Sequence, residues 1–225
     1  MNTNFRVLCD FDGTIALDDV TDALLTAFAD PEWETVEEAW KAGRIGSDEC
    51  MRRQVALLRA GLDDVNALLD RLPIDPTFPG FVRLCQERRI HVTVVSDGLD
   101  HAIDRILKRE DLSLEVRANR LVHSATGGWA LECPHAADTC RVQAANCKCA
   151  AASEARDSLT VLVGDGRSDI CLAERVDFVF AKSIGGTPST LLAHCRAHNL
   201  PHRAFESFAE VADGLAELGA FRDAA

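Results

Sequence analysis

The sequence predicts an α/β fold: a Rossmann-like parallel sheet with helices on both faces and a small helical cap inserted after the first strand. Three observations carry that expectation. Apolar runs at Phe5–Cys9, Ile90–Ser96 and Leu159–Val163 alternate with stretches of helical spacing, the signature of strand–helix crossovers. Residues 18–73 hold helical patterns and no strand signal. The three runs end in residues that both break strands and carry chemistry, at Asp10-Phe11-Asp12-Gly13, Ser96-Asp97-Gly98 and Gly164-Asp165-Gly166.

Phe5–Cys9 reads as a buried strand stopped by Asp10. Residues 19–30 place Val20, Leu24, Leu25 and Phe28 on one helical side, and further helical patterns cover 32–42, 47–60 and 62–72, separated by Gly43, Gly46 and Gly61. Pro73, Pro76, Pro79 and Gly80 mark a boundary. They suggest a core of residues 1–17 and 74–225 and a cap of 18–73. A helix at 81–89 leads to the strand 90–96, which Asp97-Gly98 is expected to break before a helix at 100–109. Residues 114–132 read as a hairpin around Gly127-Gly128. After an irregular cysteine-rich stretch come a helix at 149–156, the strand 159–163, a helix at 168–175 and a short strand at 178–180. Thr187 and Pro188 form an expected N-cap and N1 pair opening a helix to 198, and residues 207–218 close the chain as a helix. In wound sheets the crossovers are right-handed and ligands meet the carboxyl ends of the strands.

Composition narrows the function classes. The 225 residues are 47% hydrophobic and 27% charged, the mix of a globular protein. A formal charge of −12 repels phosphate backbones and anionic lipid, so neither nucleic acid nor membrane is an expected partner. No apolar run approaches the ~20 residues of a membrane span. The N-terminal run is too short for a signal peptide. Nine cysteines, an odd number, suit reduced thiols of a cytoplasmic protein. Cys133, His135, Cys140, Cys147 and Cys149 lack the paired C-x2-C spacing of structural zinc and read better as buried thiols.

Asp10 and Asp12 lie two apart at a strand end, so both carboxylates can face one crevice. Close carboxylates repel unless a cation intervenes, and hard oxygen donors select Mg²⁺. Asp165 on a neighbouring strand end can add a ligand. With charge offset, one aspartate can attack phosphorus while the other protonates the leaving oxygen and then activates water. Gly13 permits a tight turn, and Ser96 can bind a phosphate oxygen.

The set Asp10-Phe-Asp12-Gly13-Thr14, Ser96-Asp97-Gly98, a downstream lysine, and Gly164-Asp165-Gly166-Arg-Ser168-Asp169 resembles the four motifs of the haloacid dehalogenase superfamily of phosphohydrolases, in order and over almost the whole chain. The resemblance implies Asp10 as nucleophile, Asp12 as general acid/base, and Ser96 with a lysine as phosphate binders. It also implies Mg²⁺ held by Asp10, the Asp12 carbonyl and Asp165, with Asp169 in support. Gly13, Thr14, Asp97 and Gly98 join the substrate-binding set. The helical insert matches the cap of the phosphoserine-phosphatase-like branch. Within that branch Pro31-Glu-Trp33, Cys133-Pro-His135 and Cys140…Cys147-Lys148-Cys149 resemble the methionine-salvage phosphatases that act on 2-hydroxy-3-keto-5-methylthiopentenyl-1-phosphate, which places the third-motif lysine at Lys148.

Phosphoserine phosphatase is the alternative. Asp19 stands where that enzyme has an acidic residue for the substrate ammonium, while Gln54, or Arg53 after a one-residue shift, stands where it has a carboxylate-binding arginine. Asp19 and Arg53 are thus the candidate cap residues for the non-phosphate part of a substrate. The expected protein is a monomer or homodimer acting on a small phosphorylated metabolite. Intact Asp10, Asp12, Lys148 and Asp165 argue against a silent phosphate-binding regulator, the second aspartate disfavours a dehalogenase, and a phosphomutase is the further alternative within the superfamily.

Overall fold

The computed structural model describes residues 4–124, 127–138, 140, 141, 143–152 and 158–221. In chain order the elements are β1 (Asn4–Cys9), α1 (Val20–Phe28), α2 (Glu32–Lys41), α3 (Ser47–Ala56), α4 (Leu62–Leu69), α5 (Phe78–Glu87), β2 (His91–Leu99), α6 (Asp100–Arg109), β3 (Glu115–His123), β4 (Trp129–Glu132), α7 (Lys148–Ala152), β5 (Ser158–Gly164), α8 (Ile170–Ala173), β6 (Phe178–Ile184), β7 (Thr187–Pro188), α9 (Thr190–Ala197), β8 (His202–Phe205) and α10 (Phe208–Glu217). The chain divides by contacts into two compact units, one of residues 1–17, 74–95 and 148–225, the other of 18–73 and 96–147.

In the first unit β1 lies between β2 and β5, β6 pairs with β5, and β8 pairs with β6, all parallel; β7 runs antiparallel to β6. The register sets Cys9 opposite both Val94 and Val163, so the loops after β1 and β5 leave the sheet at one level. Both faces are buried, which is why the strands read as unbroken apolar runs. Leu8, Leu162, Val179 and Ala181 pack with Leu172, Leu191 and Cys195 of α8 and α9. Phe180, offset by one residue, turns to the other face, where a Cβ on Gly214 of α10 would overlap its ring. Phe78 and Phe81 of α5 meet Phe208 of α10 with ring centroids 4.7 and 5.2 Å apart.

In the second unit α2 packs on α3, α1 on α4, α4 on α6, and α6 on the β3–β4 hairpin. Arg52 of α3 donates to Leu131 O at 2.7 Å, and Trp129 Nε1 donates to Ala60 O at 2.8 Å, tying the helices to the hairpin. No helix among the described residues is long and apolar enough to cross a membrane.

Four local expectations are corrected. Strand β2 continues through Asp97-Gly98 to Leu99, because Ser96 Oγ accepts from Gly98 N at 2.9 Å and the Asp97 carboxylate finds its own donors. Strand β6 runs past Phe180 to Ile184, because the ammonium of Lys182 has an acceptor inside the fold. Thr187 and Pro188 are not a helix cap; they pair antiparallel with β6, and Ser189 caps α9 by accepting from Leu192 N at 3.2 Å. Helix α5 starts at Phe78, so Pro79 occupies its first turn rather than a linker. The helix expected at 149–156 begins at Lys148 and is described to Ala152; residues 153–157 lie outside the described residues.

Candidate active site

The loop after β1 is wound on one carbonyl. Phe11 O accepts from Thr14 N, Ile15 N and Ala16 N at 3.2, 2.9 and 2.9 Å, while Asp10 N still donates to Val163 O at 2.9 Å. Gly13 makes the reversal possible with φ +70°, and a Cβ there would stand 2.8 Å from Asp165 Oδ2. Thr14 is fully buried, and its hydroxyl donates to Asp165 Oδ1 at 2.8 Å. The loops after β1 and β5 are therefore cross-linked at their tips.

Beneath that link lies a buried charge cluster. Lys148, at the start of α7, places Nζ 2.7 Å from Asp10 Oδ1 and 2.8 Å from Asp169 Oδ1. Asp169 Oδ2 accepts from the backbone N–H groups of Asp165 and Gly166 at 3.2 and 3.1 Å. A Cβ on Gly164 would stand 2.5 Å from that oxygen, so only glycine fits there. Asp10 Oδ1 also accepts from Phe11 N at 2.8 Å. These contacts engage both oxygens of Asp169 and Oδ1 of Asp10 and Asp165, leaving Oδ2 of Asp10 and of Asp165 as the oxygens for another partner.

Asp10 and Asp169, both buried, share the Lys148 ammonium beside the half-buried Asp165, and burial makes unbalanced charge there expensive. Burial first, then the charge of Asp169, lifts Asp10 well above the usual carboxylate range, with Lys148 pulling against them. Burial and Asp169 likewise push Asp165 up to about 6. For Lys148 burial works against the charged form, but Asp10 and Asp169 outweigh it and raise its pKa, so it remains an ammonium. The ligating atoms of Asp10, Asp165 and Asp169 lie within 4.8 Å of one another. All-oxygen donors carrying excess negative charge fit a hard divalent cation.

Asp12 lies in the loop after β1 in the first unit, and the second unit holds Ser96, Asp97, Gly98, Asp19 and Arg53. Ser96 and Gly98 form the short turn-like link described above, and Asp97 is a hub. Its carboxylate accepts from Ser47 Oγ at 2.6 Å and Asn146 N at 2.7 Å, and its carbonyl accepts from Asn119 Nδ2 at 2.7 Å. Asn146 also donates its side-chain amide to Ser96 O and Arg117 O, both at 2.7 Å. Asp19 is the N-cap of α1 and accepts from Asp22 N at 2.9 Å. Arg53 is exposed and pairs with Glu49 at 3.4 Å, while Gln54 is buried and donates to Glu37 at 2.9 Å. Sequence reasoning did not single out Ser47, Asn119 and Asn146 for the site, because a polar side chain at a helix start, within a strand and in a loop carries no distinguishing pattern. Among the described residues no cysteine joins a convergent metal-ligating group, and none of the nine is in a disulfide.

Residues 7–174 match the model of the haloacid dehalogenase-like hydrolases, a span that contains the ends of β1, β2 and β5. The chain belongs to this family. Its similarity to curated phosphatases over nearly the full length places it among the family's phosphatases. The 2-hydroxy-3-keto-5-methylthiopentenyl-1-phosphate phosphatase of Geobacillus thermodenitrificans (strain NG80-2) is 29% identical over 97% of this chain and 98% of its own. The protein of that name from Geobacillus kaustophilus (strain HTA426) is 30% identical over the same shares. Among solved structures, a phospho-aspartyl intermediate analogue of phosphoserine phosphatase matches with a TM-score of 0.71 at 20% identity, covering 95% of this chain and 99% of that one. A substrate-bound phosphoserine phosphatase matches with a TM-score of 0.69 at 18% identity, over the same shares. At that identity the likeness bears on the haloacid dehalogenase-like α/β fold alone.

Proposed function

We propose that this member of the family is a Mg²⁺-dependent phosphomonoesterase that hydrolyses a small phosphorylated metabolite through an aspartyl-phosphate on Asp10. The observation that carries the reading is the clamp on Asp10. Lys148 and the Phe11 amide hold Oδ1, which leaves Oδ2 as the attacking atom. In the first step Oδ2 forms a bond to phosphorus as the bond to the leaving oxygen breaks, and Asp12 delivers the proton to that oxygen. In the second step Asp12 takes a proton from water, the water oxygen attacks phosphorus, and Asp10 is released. Lys148 stays charged throughout and stabilises the transferring group. Asp169 holds Lys148 with one oxygen and the Asp165–Gly166 turn with the other. Ser96, Gly13, Thr14, Asp97 and Gly98 are assigned to the substrate-binding loops by their motifs. Mg²⁺ would be held by Asp10, the Asp12 carbonyl and Asp165, with Asp169 supporting, and when bound it supplies charge neutralisation at the phosphoryl group.

The methionine-salvage ester 2-hydroxy-3-keto-5-methylthiopentenyl-1-phosphate is the substrate we propose, with residues 18–73 as the cap that reads its non-phosphate part. The curated relatives support it. Phosphoserine fits less well. Its carboxylate calls for a cap arginine, yet Gln54 is the buried side chain at that place and Arg53 faces solvent. The test is hydrolysis of this ester, phosphoserine and p-nitrophenyl phosphate with Mg²⁺, beside Asp10→Asn. The expected ranking puts the salvage ester first by kcat/KM and leaves Asp10→Asn inactive. Phosphoserine ranking first would replace the substrate, and an active Asp10→Asn would remove the mechanism.

A further inference from the structure

A second lysine is buried in the first unit, and the reaction as proposed does not use it. Lys182 sits in β6 with 4% of its surface exposed, in the otherwise apolar run Phe178-Val-Phe-Ala-Lys182. Burying an ammonium is unfavourable unless a specific acceptor meets it. Lys182 Nζ donates to Thr14 O at 2.8 Å. The register explains the reach: Ala181 pairs with Gly164, so the next residue stands level with Asp165 at the same sheet edge. Burial lowers the Lys182 pKa, and the charges of Asp75 and Asp165 work against that loss. Asp75 anchors the same loop through its backbone, donating to Ile15 O at 2.8 Å.

Thr14 is thus held from two sides. Its carbonyl takes the Lys182 ammonium, and its hydroxyl donates to Asp165 Oδ1. The Asp165 oxygen left over is Oδ2, against which Gly13 leaves no room for a Cβ. We propose that Lys182 and Thr14 are positioning residues that fix the rotamer of Asp165, so that Lys182, across one peptide unit, sets the protein's affinity for a divalent cation. The inference rests on Asp165 being a cation ligand. Groups that orient metal ligands in this way are typically worth about ten- to a hundredfold in metal affinity.

Charge and position act here with opposite signs, which makes the proposal decidable. Removing a positive charge beside a cation site strengthens cation binding by electrostatics alone. Removing the anchor of Thr14 weakens it. The experiment measures Mg²⁺ binding without substrate, as the Mg²⁺-dependent rise in thermal midpoint and by calorimetric titration, in wild type, Lys182→Met, Thr14→Val and the double variant. Each single variant is expected to raise the Mg²⁺ dissociation constant by about tenfold. The double variant should match the singles rather than multiply them, because both act through one hydrogen-bonded chain. Lys182→Met binding Mg²⁺ as tightly as wild type, or more tightly, overturns the inference. Where Lys182→Met does not fold, Thr14→Val decides alone, and an unchanged dissociation constant there overturns it. Wild type showing no Mg²⁺ binding removes the cation reading of Asp165 and this inference together. Wild-type binding with unaltered variants removes this inference only.

Discussion

Lys148 and Asp10 form a buried ion pair, Nζ to Oδ1 at 2.7 Å, and the same ammonium reaches Asp169 Oδ1 at 2.8 Å. One lysine thereby ties the strand end of β1 to the turn after β5. Lys148→Met leaves Asp10 and Asp169 buried without their cation, which costs about 3–5 kcal/mol when one partner of a buried pair is removed. Urea denaturation measures this. The same variant should lower kcat about a hundredfold or more, since a preorganised charge at the reacting group is lost. A variant with wild-type stability would show that the pair is not compensating the buried carboxylates.

Asp10→Asn should keep the fold while abolishing phosphatase activity. The amide removes one of two buried carboxylates that share Lys148 beside the half-buried Asp165, so the metal-free thermal midpoint is expected to stay level or rise, not fall. Calorimetry and a p-nitrophenyl phosphate assay on one preparation read both effects. Lost activity accompanied by a collapsed midpoint would point to a structural part for Asp10 instead.

The link between Ser47 and Asp97 predicts a graded pair of effects. Ser47→Ala deletes one donor to a carboxylate that keeps Asn146 N, at about 1 kcal/mol. Asp97→Ala strands Ser47 and Asn146 N together and should cost about 2–3 kcal/mol. Denaturant midpoints with unchanged m-values would measure the difference. Asp97→Ala being no worse than Ser47→Ala contradicts the hub.

Thiol chemistry supplies a pH dependence. Burial pushes the thiols of Cys50, Cys85 and Cys133 up to about 12, with Glu37 reinforcing it at Cys50 and Asp48 at Cys133. A raised thiol pKa keeps the unreactive protonated form through neutral pH, so alkylation should grow only as pH climbs toward 12. Iodoacetamide labelling at pH 7 and pH 9, read by peptide mass spectrometry, should leave these three unmodified in the folded protein. Rapid labelling of Cys133 at pH 7 would contradict its hydrogen bond to Asp48.

Much of this architecture is legible in the residues because burial on both faces writes strands as apolar runs. Phe5–Cys9 and Leu159–Val163 show this, each falling within one residue or so of the observed β1 and β5. The strand ends are legible for a related reason: Asp10 and Asp165 put a charged, turn-forming residue at the close of an apolar run. The errors came where a polar residue was satisfied by a distant partner. The strand read at 178–180 runs on through Lys182 to Ile184, since that lysine's acceptor, Thr14 O, is 168 positions away. Asp97-Gly98 looked like a break, and hydrogen bonds from Ser47 and Asn146 carry the strand through. Thr187-Pro188 satisfied a local capping rule, and a local rule has no knowledge of β6 alongside.

The bonds from Ser47 to Asp97, Arg52 to Leu131 and Trp129 to Ala60 lie inside one unit assembled from two separate stretches of chain. Recombination with a relative is therefore constrained in where it can cut. A chimera that imports residues 18–73 alone severs all three bonds, whereas one that imports 18–73 together with 96–147 carries them intact. The second unit is exchangeable only as a two-part cassette.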